Sequence, residues 1–600
     1  METCKNWFTY IYLTIFGICL SYSLFSATLN MGVNAKYPFI WYGGMLIVMG
    51  GLWLVLNTSA AITSHFRLSW VKPGSRKAAV FLEAFVLLSI VTAAALLRFW
   101  IISNLPMQPE SDYLTYYKVA ELLAQGKLIS DGAGYCDYIS QFPHVMGFPY
   151  ILSLVFRVFG VSVSTGLYFN LAVSLLSIFF VHRTARLLAG NVGGILAAAL
   201  VAFWPSQILY INQMASEPVF MCLTLICIWI AARLFKAPDG EKAWKILVFN
   251  IALGILLAIA GGVRPVAIIL LIAIIICSVT YKARLTGSAE AGLIKSCMSR
   301  GWIRALAILT GYMACSLLIS AATAKAIDRE LPGTTASFGY NLMVGFNIES
   351  RGGWNEKDSS FLTQRFAETG SAEEAHIASR AMALSRLKED PVGIANLIFQ
   401  KYTLLWENDD YGSYWNLLFL KQQNNLTSQR NEFINSVTIW NNIYYIICVY
   451  LSLLAGIYLW FGKKVGTEHV LVLYFIGIAM LHMFLESQSR YHYNILPVFA
   501  ILASAGAVEI FIHHADARRT ATDSIATSAT DFKSGEQSLE KAAAIEEQKS
   551  SEEELIEKEA GQIDNKFNLL DAIKQGHVTV TVTEAYLNSD KDKKEPGEKE

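Results

Sequence analysis

A chain of 600 residues that is 54% hydrophobic and only 16% charged, with a positive mean hydropathy, is too apolar for an ordinary soluble protein of this length and reads as polytopic in a membrane. Its 48 Lys and Arg balance 48 Asp and Glu, so the total charge carries no nucleic-acid footprint and names no partner.

A membrane span needs about 20 predominantly apolar residues, and about twelve segments qualify. In chain order they are 7–29, 38–57, 78–102, 162–182, 187–204, 216–235, 245–262, 265–281, 303–325, 437–461, 468–485 and 493–512. The first, at roughly 22 residues, is longer than the roughly 7–15 of a secretory signal core and reads as a retained anchor. The expected fold is an all-α polytopic membrane protein of about twelve transmembrane helices, with interfacial helices and a partly helical exoplasmic loop. Its parts are two N-terminal spans (1–77), a membrane core (78–325), an exoplasmic loop domain (326–436), C-terminal spans (437–512) and a charged, largely disordered tail (513–600).

Charge distribution sets the expected sidedness. Basic residues collect at Arg67, Lys72, Arg76 and Lys77, at Arg183 and Arg186, from Arg233 to Lys245, from Lys282 to Arg304, and at Lys463-Lys464. The positive-inside rule puts all of these on the cytoplasmic side, and both termini with them. The long loops 103–161 and 326–436 then face outward. Of nine cysteines only Cys136 falls in an outward segment, so no structural disulfide is expected.

In the first outer loop, PESDYLTYYKVAELLAQG (109–126) reads as a helix opening near Asp112 and closed by Gly126 as C-cap. Tyr113, Tyr116, Tyr117, Ala120, Leu123 and Ala124 share one broad face, as an interfacial helix requires. Asp112 would then be held at headgroup depth, either for chemistry or merely as an N-cap worth about 1 kcal/mol. In the second loop, Ser371 with Glu374 is a capping-box pattern, the helix it opens stops at Asp390, and Pro391 suits the first turn of the next. The Gly- and Asn-rich stretch GYNLMVGFNIESRGGWNEKD (339–358) reads either as ligand-facing or as a plain connection. In the tail, HVTVTVTEAYL could pair as a strand with a partner. No internal repeat, P-loop, zinc signature, dinucleotide fingerprint or nucleophile elbow is visible.

Two arginines stand on the side that the charge rule disfavours: Arg264 in GGVRP and Arg490 in ESQSRYHYNILP. Guanidinium suits bidentate phosphate or carboxylate binding, and a membrane-embedded charge is a functional hypothesis by default. The partner is a substrate phosphate or a protein carboxylate, with Glu217 in NQMASEPVF and Glu486 as the carboxylates at hand. An acid able to act as base, two phosphate-competent arginines and a Tyr-rich interfacial helix point to a reaction on a lipid phosphate at the outer leaflet.

These residues resemble the GT-C glycosyltransferases, specifically the glycosyltransferase family 39 group that includes protein O-mannosyltransferases and aminoarabinose lipid A transferases. The resemblance rests on PESDYLTYYKVAELLAQG after a span, QFPHVMGFPYILSLVFRVFG closing the same loop, GGVRP in mid-chain and SRYHYNILPVFAILASAG in the last span, over residues 78–512. It implies a polyprenyl-phosphate sugar donor, a glycan, lipid or protein acceptor on the exoplasmic side, and inversion of configuration. By the same resemblance Asp112 would be the general base. Arg264 and Arg490, with Tyr491 and His144, would bind the donor phosphate, and Tyr116, Tyr117, Glu217 and Glu486 would support them.

The chain departs from the pattern in two places. Asp112-Tyr113 stands where many relatives have Asp-Glu, which weakens the case for a divalent metal held by a carboxylate pair, and no cofactor is expected. Gln141-Phe142-Pro143 stands where some carry a lysine before the proline, so phosphate binding falls to the arginines. Three rivals follow from the same residues: a lipid-linked glycan polymerase or ligase, a twelve-helix secondary transporter, and a membrane scaffold. A transporter would place ionisable groups near the bilayer midplane in corresponding positions of two repeats, whereas the notable charges here lie at outer helix ends. The expected location is the plasma membrane.

Overall fold

The computed structural model describes residues 7–33, 38–65, 76–235, 243–280, 300–333, 338–462 and 467–508. Arg67, Lys72, Lys463-Lys464, most of the 282–302 loop and the tail with HVTVTVTEAYL lie outside them. The described residues form helices, turns and loops, with no strand among them. Seven of these helices are long and apolar enough to cross a bilayer: Trp7–Val33, Val80–Asn104, Val163–Ala202, Glu217–Phe235, Trp244–Val263, Gly301–Ile327 and Ser428–Phe461. Pro38–Leu54, Ala267–Thr280, Glu468–Phe484 and Leu496–Val508 are shorter apolar helices at four more of the expected spans.

Val163–Ala202 is a helical hairpin rather than one rod. Its helix breaks at Ala189 (φ −125°, ψ 18°) and Gly190 (φ 72°, ψ −170°), and only glycine adopts the second conformation without strain. A Cβ on Gly194 would stand 3.0 Å from the Arg186 Cβ and 3.1 Å from the His182 ring. In a straight helix positions 182 and 194 are about 18 Å apart. The chain therefore doubles back, and the arms are the separate spans expected at 162–182 and 187–204. Arg98 ties them together, its Nε donating to Ser174 Oγ (3.0 Å) on one arm and its Nη1 to the Ala202 carbonyl (2.8 Å) on the other.

Because the helices alternate in direction, the connections that hold the sequence-derived candidates emerge on one side. Cross-links confirm it: the Asn212 side chain reaches the Leu105 carbonyl, Gln423 Nε2 donates to the Gln108 carbonyl (2.9 Å), and Arg329 pairs with Asp137 (2.9 Å). Arg186 lies at the other end of its helix, pairing with Glu83 at 3.2 Å.

The interfacial expectation needs correction. The helix Ser111–Gln125 is closed by Gly126 in the left-handed region as read from the sequence, but its aromatic face meets protein. Tyr113 and Tyr116 are buried, against Trp415, Phe419 and Phe148, and Tyr117 packs on Phe156. The covering helix, Gly147–Phe159, instead turns Tyr150, Leu154 and Val158 outward, 55%, 46% and 74% exposed. That spacing of four makes one continuous apolar stripe, which is the face an interfacial helix presents to lipid.

The long loop folds as its punctuation indicates. Ser371 caps Ala372–Glu389 by accepting from the Glu374 amide (3.3 Å), and Asp390 caps Pro391–Trp406 by accepting from the Gly393 amide (2.7 Å). With Gly339–Gly345 and Glu356–Thr369 they enclose a small core of Tyr340, Met343, Val344, Leu362, Ala375, Ile394 and Leu397. Asp358 fastens it, accepting from Arg386 (2.6 Å), Asn355 (2.9 Å) and Asn347 (3.0 Å).

Candidate active site

Five stretches far apart in sequence close around one cavity of about 400 Å³. The loop 105–162 supplies Asp112, Tyr116, Tyr138 and His144; the helix start at Glu217 and the turn after Val263 supply Glu217 and Arg264; the Ser489–His492 turn and the residues before it supply Glu486, Arg490 and Tyr491; and the loop domain supplies Tyr340, Asn341 and Trp354. Every sequence-derived site residue except Tyr117 lines this cavity. Tyr117 faces Phe156 instead, because at position 117 the helix has turned away from Asp112 toward Gly147–Phe159.

Asp112 is not the N-cap. That position belongs to Glu110, which makes no side-chain cap bond. Ser111 follows with φ 52°, a left-handed conformation that costs a non-glycine residue on the order of 1–3 kcal/mol and gathers at functional sites. The carboxylate of Asp112, 43% exposed, accepts from Arg490 Nη2 at 3.0 Å through Oδ2 alone.

Arg490 is surrounded by π faces and oxygens. Its guanidinium lies 5.1 Å from the Trp415 ring centre and 5.6 Å from that of Tyr491, and Nη1 donates to the Tyr113 hydroxyl (3.3 Å). Burial opposes its charge, yet Tyr113, Tyr491 and Asp112 hold the guanidinium above its ordinary pKa. Its Nε has no hydrogen-bond partner among the described residues. Arg490 lines the cavity, and a buried guanidinium with an unsatisfied N–H is a group that an anionic ligand would stabilise.

Arg264 is placed differently. Nη2 donates to Glu217 Oε1 at 2.6 Å and Nε to Ser216 Oγ at 3.1 Å, so the internal pairing weighed from the sequence holds for this arginine. Glu217 is 2% exposed, and its second oxygen has no partner among the described residues. Tyr491 stacks on His482 with centroids 4.9 Å apart and donates to Glu486 Oε1 (2.9 Å), which also accepts from Gln488 (2.8 Å). Burial raises the Glu486 carboxyl above its usual pKa. Burial, with Arg264 nearby, lowers His144 to about 4, so at neutral pH this side chain is an uncharged hydrogen-bonding group and adds nothing to phosphate attraction.

The sequence reading missed the anchor behind the Arg490 turn. His492 Nε2 meets Asp409 Oδ1 at 2.9 Å and Nδ1 meets the Leu405 carbonyl at 2.6 Å, while Asp409 Oδ2 accepts from Trp204 Nε1 (2.6 Å) and Ser206 Oγ (2.7 Å). The imidazole is stacked between Trp406 and Tyr445, at 5.5 and 5.8 Å. The available signal was the pair Asp409-Asp410 directly after an amphipathic helix, with a histidine two residues from Arg490. Among the described residues no three His, Cys, Asp or Glu side chains cluster as a metal ion would need.

Residues 143–290 match the family model for dolichyl-phosphate-mannose-protein mannosyltransferase. Three solved structures align at low identity. The archaeal oligosaccharyltransferase AglB from Archaeoglobus fulgidus, in complex with an inhibitory peptide and a dolichol-phosphate, is 12% identical over 70% of this chain and 50% of its own, with a TM-score of 0.35. ArnT from Cupriavidus metallidurans, bound to undecaprenyl phosphate, is 12% identical over 72% and 78%, with a TM-score of 0.28. The Archaeoglobus fulgidus oligosaccharyltransferase tethered to an acceptor peptide is 14% identical over 70% and 55%, with a TM-score of 0.30. The chain thus spans about half the length of the archaeal structures it aligns with. No curated protein matches the chain. The resemblance drawn from the sequence is borne out by the family match over the stretch that holds His144, Glu217 and Arg264.

Proposed function

We propose that this chain is a membrane glycosyltransferase that moves a sugar from a polyprenyl-phosphate donor to an acceptor hydroxyl on the exoplasmic side, with inversion. The observation that carries the reading is one cavity holding a half-exposed carboxylate, Asp112, 3.0 Å from a buried arginine whose Nε is unpartnered. The match of residues 143–290 to a mannosyltransferase family supports it. Orientation follows from charge: Arg183, Arg186 and Arg233 lie at the helix ends opposite the cavity, so the positive-inside rule puts the cavity outside and both termini in the cytoplasm of a plasma membrane.

In this reading the donor phosphate displaces Asp112 from Arg490. Arg490 then binds the phosphate oxygens, and the carboxylate, released from the ion pair, is free to meet the acceptor hydroxyl. Asp112 takes the proton of the acceptor hydroxyl as that oxygen attacks the anomeric carbon from the face opposite the phosphate. The anomeric C–O bond breaks, both electrons leave with the lipid phosphate, and Arg490 stabilises the charge that develops there. Arg264, locked to Glu217, contributes positive potential rather than a direct ligand bond. Arginine neutralises the leaving group, and the scheme calls on no metal or other cofactor.

The test is glycan transfer in membranes by Asp112→Asn. Transfer is expected to fall by about 10²–10⁴-fold while binding of undecaprenyl phosphate persists; unchanged transfer would remove Asp112 as base and the reading with it.

A further inference from the structure

The part of the cavity lining that the loop domain supplies is held unusually firmly for a loop. Residues 347–353 form a tight turn in which Arg351 (φ 54°) and Gly352 (φ 72°) are consecutive left-handed residues. Arg351 bears that strain without glycine's freedom. Two backbone hydrogen bonds hold the turn, and a third ties the preceding helix to the segment before Arg490. The Gly352 amide donates to the Asn347 carbonyl (2.9 Å), the Ser487 amide donates to the Gly352 carbonyl (3.1 Å), and the Glu486 amide donates to the Asn341 carbonyl (3.1 Å). Beneath it the fully buried Lys401 donates to the Gly345 carbonyl (2.8 Å), and its stem lies so close to Gly352 that a Cβ there would come within 2.3 Å of it. The loop domain is thereby fastened to the segment that carries Arg490.

What this framework holds in place is a tryptophan in the open. Trp354 directly follows the turn, lines the cavity and is 59% exposed. Phe338 (39%) and Tyr138 (37%) line the same cavity, also exposed. The strained turn and the buried lysine thus fix the backbone that presents the Trp354 ring to the cavity. The same cavity is lined by hydrogen-bonding groups: Asn341, Ser359 and Glu486. Glu486 takes both its protein donors, Tyr491 and Gln488, on Oε1, which leaves Oε2 for a ligand. Flat aromatic faces beside amide, hydroxyl and carboxyl groups suit a ligand with an apolar CH face and an edge of hydroxyls. A hydrocarbon tail would not use the polar groups, and a phosphate would not use the rings.

We propose that Trp354, with Phe338 and Tyr138, forms a pyranose-binding platform whose hydroxyl partners are Glu486, Asn341 and Ser359. This rests on the glycosyltransferase reading and deepens it: Arg490 takes the phosphate, and the rings and polar groups beside it take a sugar ring. The ring belongs either to the donor sugar or to a carbohydrate acceptor, and the experiment separates the two.

Affinities of undecaprenyl phosphate and of its mannosyl and glucosyl phosphodiesters are measured on the purified full chain in detergent, for wild type, Trp354→Ala and Trp354→Phe. KM values are measured alongside for octyl β-glucoside and for a Ser/Thr-rich peptide as acceptors. Trp354→Ala should weaken a sugar-bearing ligand about tenfold and Trp354→Phe by about twofold or less, with bare undecaprenyl phosphate bound as in wild type. A loss confined to the glycosylated lipids assigns the ring to the donor; a rise confined to the octyl β-glucoside KM assigns it to the acceptor. Unchanged values for every sugar ligand, an effect on the peptide alone, or equal weakening of the bare lipid would overturn the platform while leaving the transferase reading standing. A wild-type chain that binds none of the three lipids would instead overturn the transferase reading, and the platform with it.

Discussion

Arg264 and Arg490 begin alike, each between two apolar segments at the same ends of their helices, and finish with opposite assignments. Arg264 meets a carboxylate that is almost wholly buried, Glu217, at 2.6 Å. Arg490 meets Asp112, which is 43% exposed, at 3.0 Å through a single oxygen. Breaking a buried pair strands a charge away from water and costs about 3–5 kcal/mol, whereas Asp112 is already partly hydrated and Arg490 keeps the Tyr113 hydroxyl and two ring faces when the carboxylate leaves. One arginine is therefore fastened to the scaffold, and the other is held loosely enough for a ligand to take. The residue type is the same in both places, and the accessibility of the partner separates the two roles.

The sharpest way to break this comparison is at the exposed partner. Asp112→Asn is expected to lower transfer by about 10²–10⁴-fold and to leave the unfolding temperature in detergent nearly unchanged; a large loss of stability would make Asp112 structural like Glu217. At the buried partner the pattern should invert. Glu217→Ala or Arg264→Ala should cost about 3–5 kcal/mol of stability, read as a lowered unfolding temperature, whereas full stability in both variants would place this pair with the exchangeable one.

Arg490→Ala should weaken undecaprenyl phosphate binding by about 10–100-fold, the equivalent of about 1.5–3 kcal/mol for a charged hydrogen bond. Arg490→Lys should recover part of it, because an ammonium keeps the charge but not the fork. Equal affinity in wild type and Arg490→Ala would return Arg490 to a structural role.

A smaller effect tests the electrostatics around Arg264. His144 has its pKa lowered from 6.5 to about 4 by burial and by Arg264. Between those values the unfolded chain takes up a proton that the folded chain refuses, so stability falls as pH drops from about 6.5 to about 4 and is unaffected above that window. His144→Asn should remove part of this slope, and an identical pH profile in the variant would show that His144 is not so shifted. The smallest change is Ser111→Gly, which relieves the left-handed residue before Asp112 and should stabilise the chain by about 1 kcal/mol; a loss of stability would show that Ser111 makes a compensating contact.

The contrast between the arginines was only half legible in the chain. GGVRP and SRYHY showed two cations on a disfavoured side, and both candidate carboxylates for Arg264 were visible, Glu217 among them. Nothing in the spacing could say that Arg490 would meet Asp112, because 378 residues separate them. The aromatic face of Ser111–Gln125 was legible as a face, but its cover was not: lipid and the helix Gly147–Phe159 make the same demand on a Tyr-rich stripe. Caps were read well at Gly126, Ser371 and Asp390, since a cap is satisfied within one turn of chain. Asp112 was the exception, because Glu110 and the left-handed Ser111 displace it from the cap to the cavity wall.

By itself, then, the amino-acid order determined which segments are helical, where several of them stop and which ends carry unusual charge. These are local matters of hydrophobic period, capping and backbone freedom, settled within a few residues. The tertiary structure alone decided which carboxylate each arginine meets, that Trp354 is exposed in the same cavity as Arg490, and that His492 and Asp409 brace the turn that carries Arg490. Such choices depend on which side chains are removed from water together, and burial is a property of the packed whole rather than of any stretch of it.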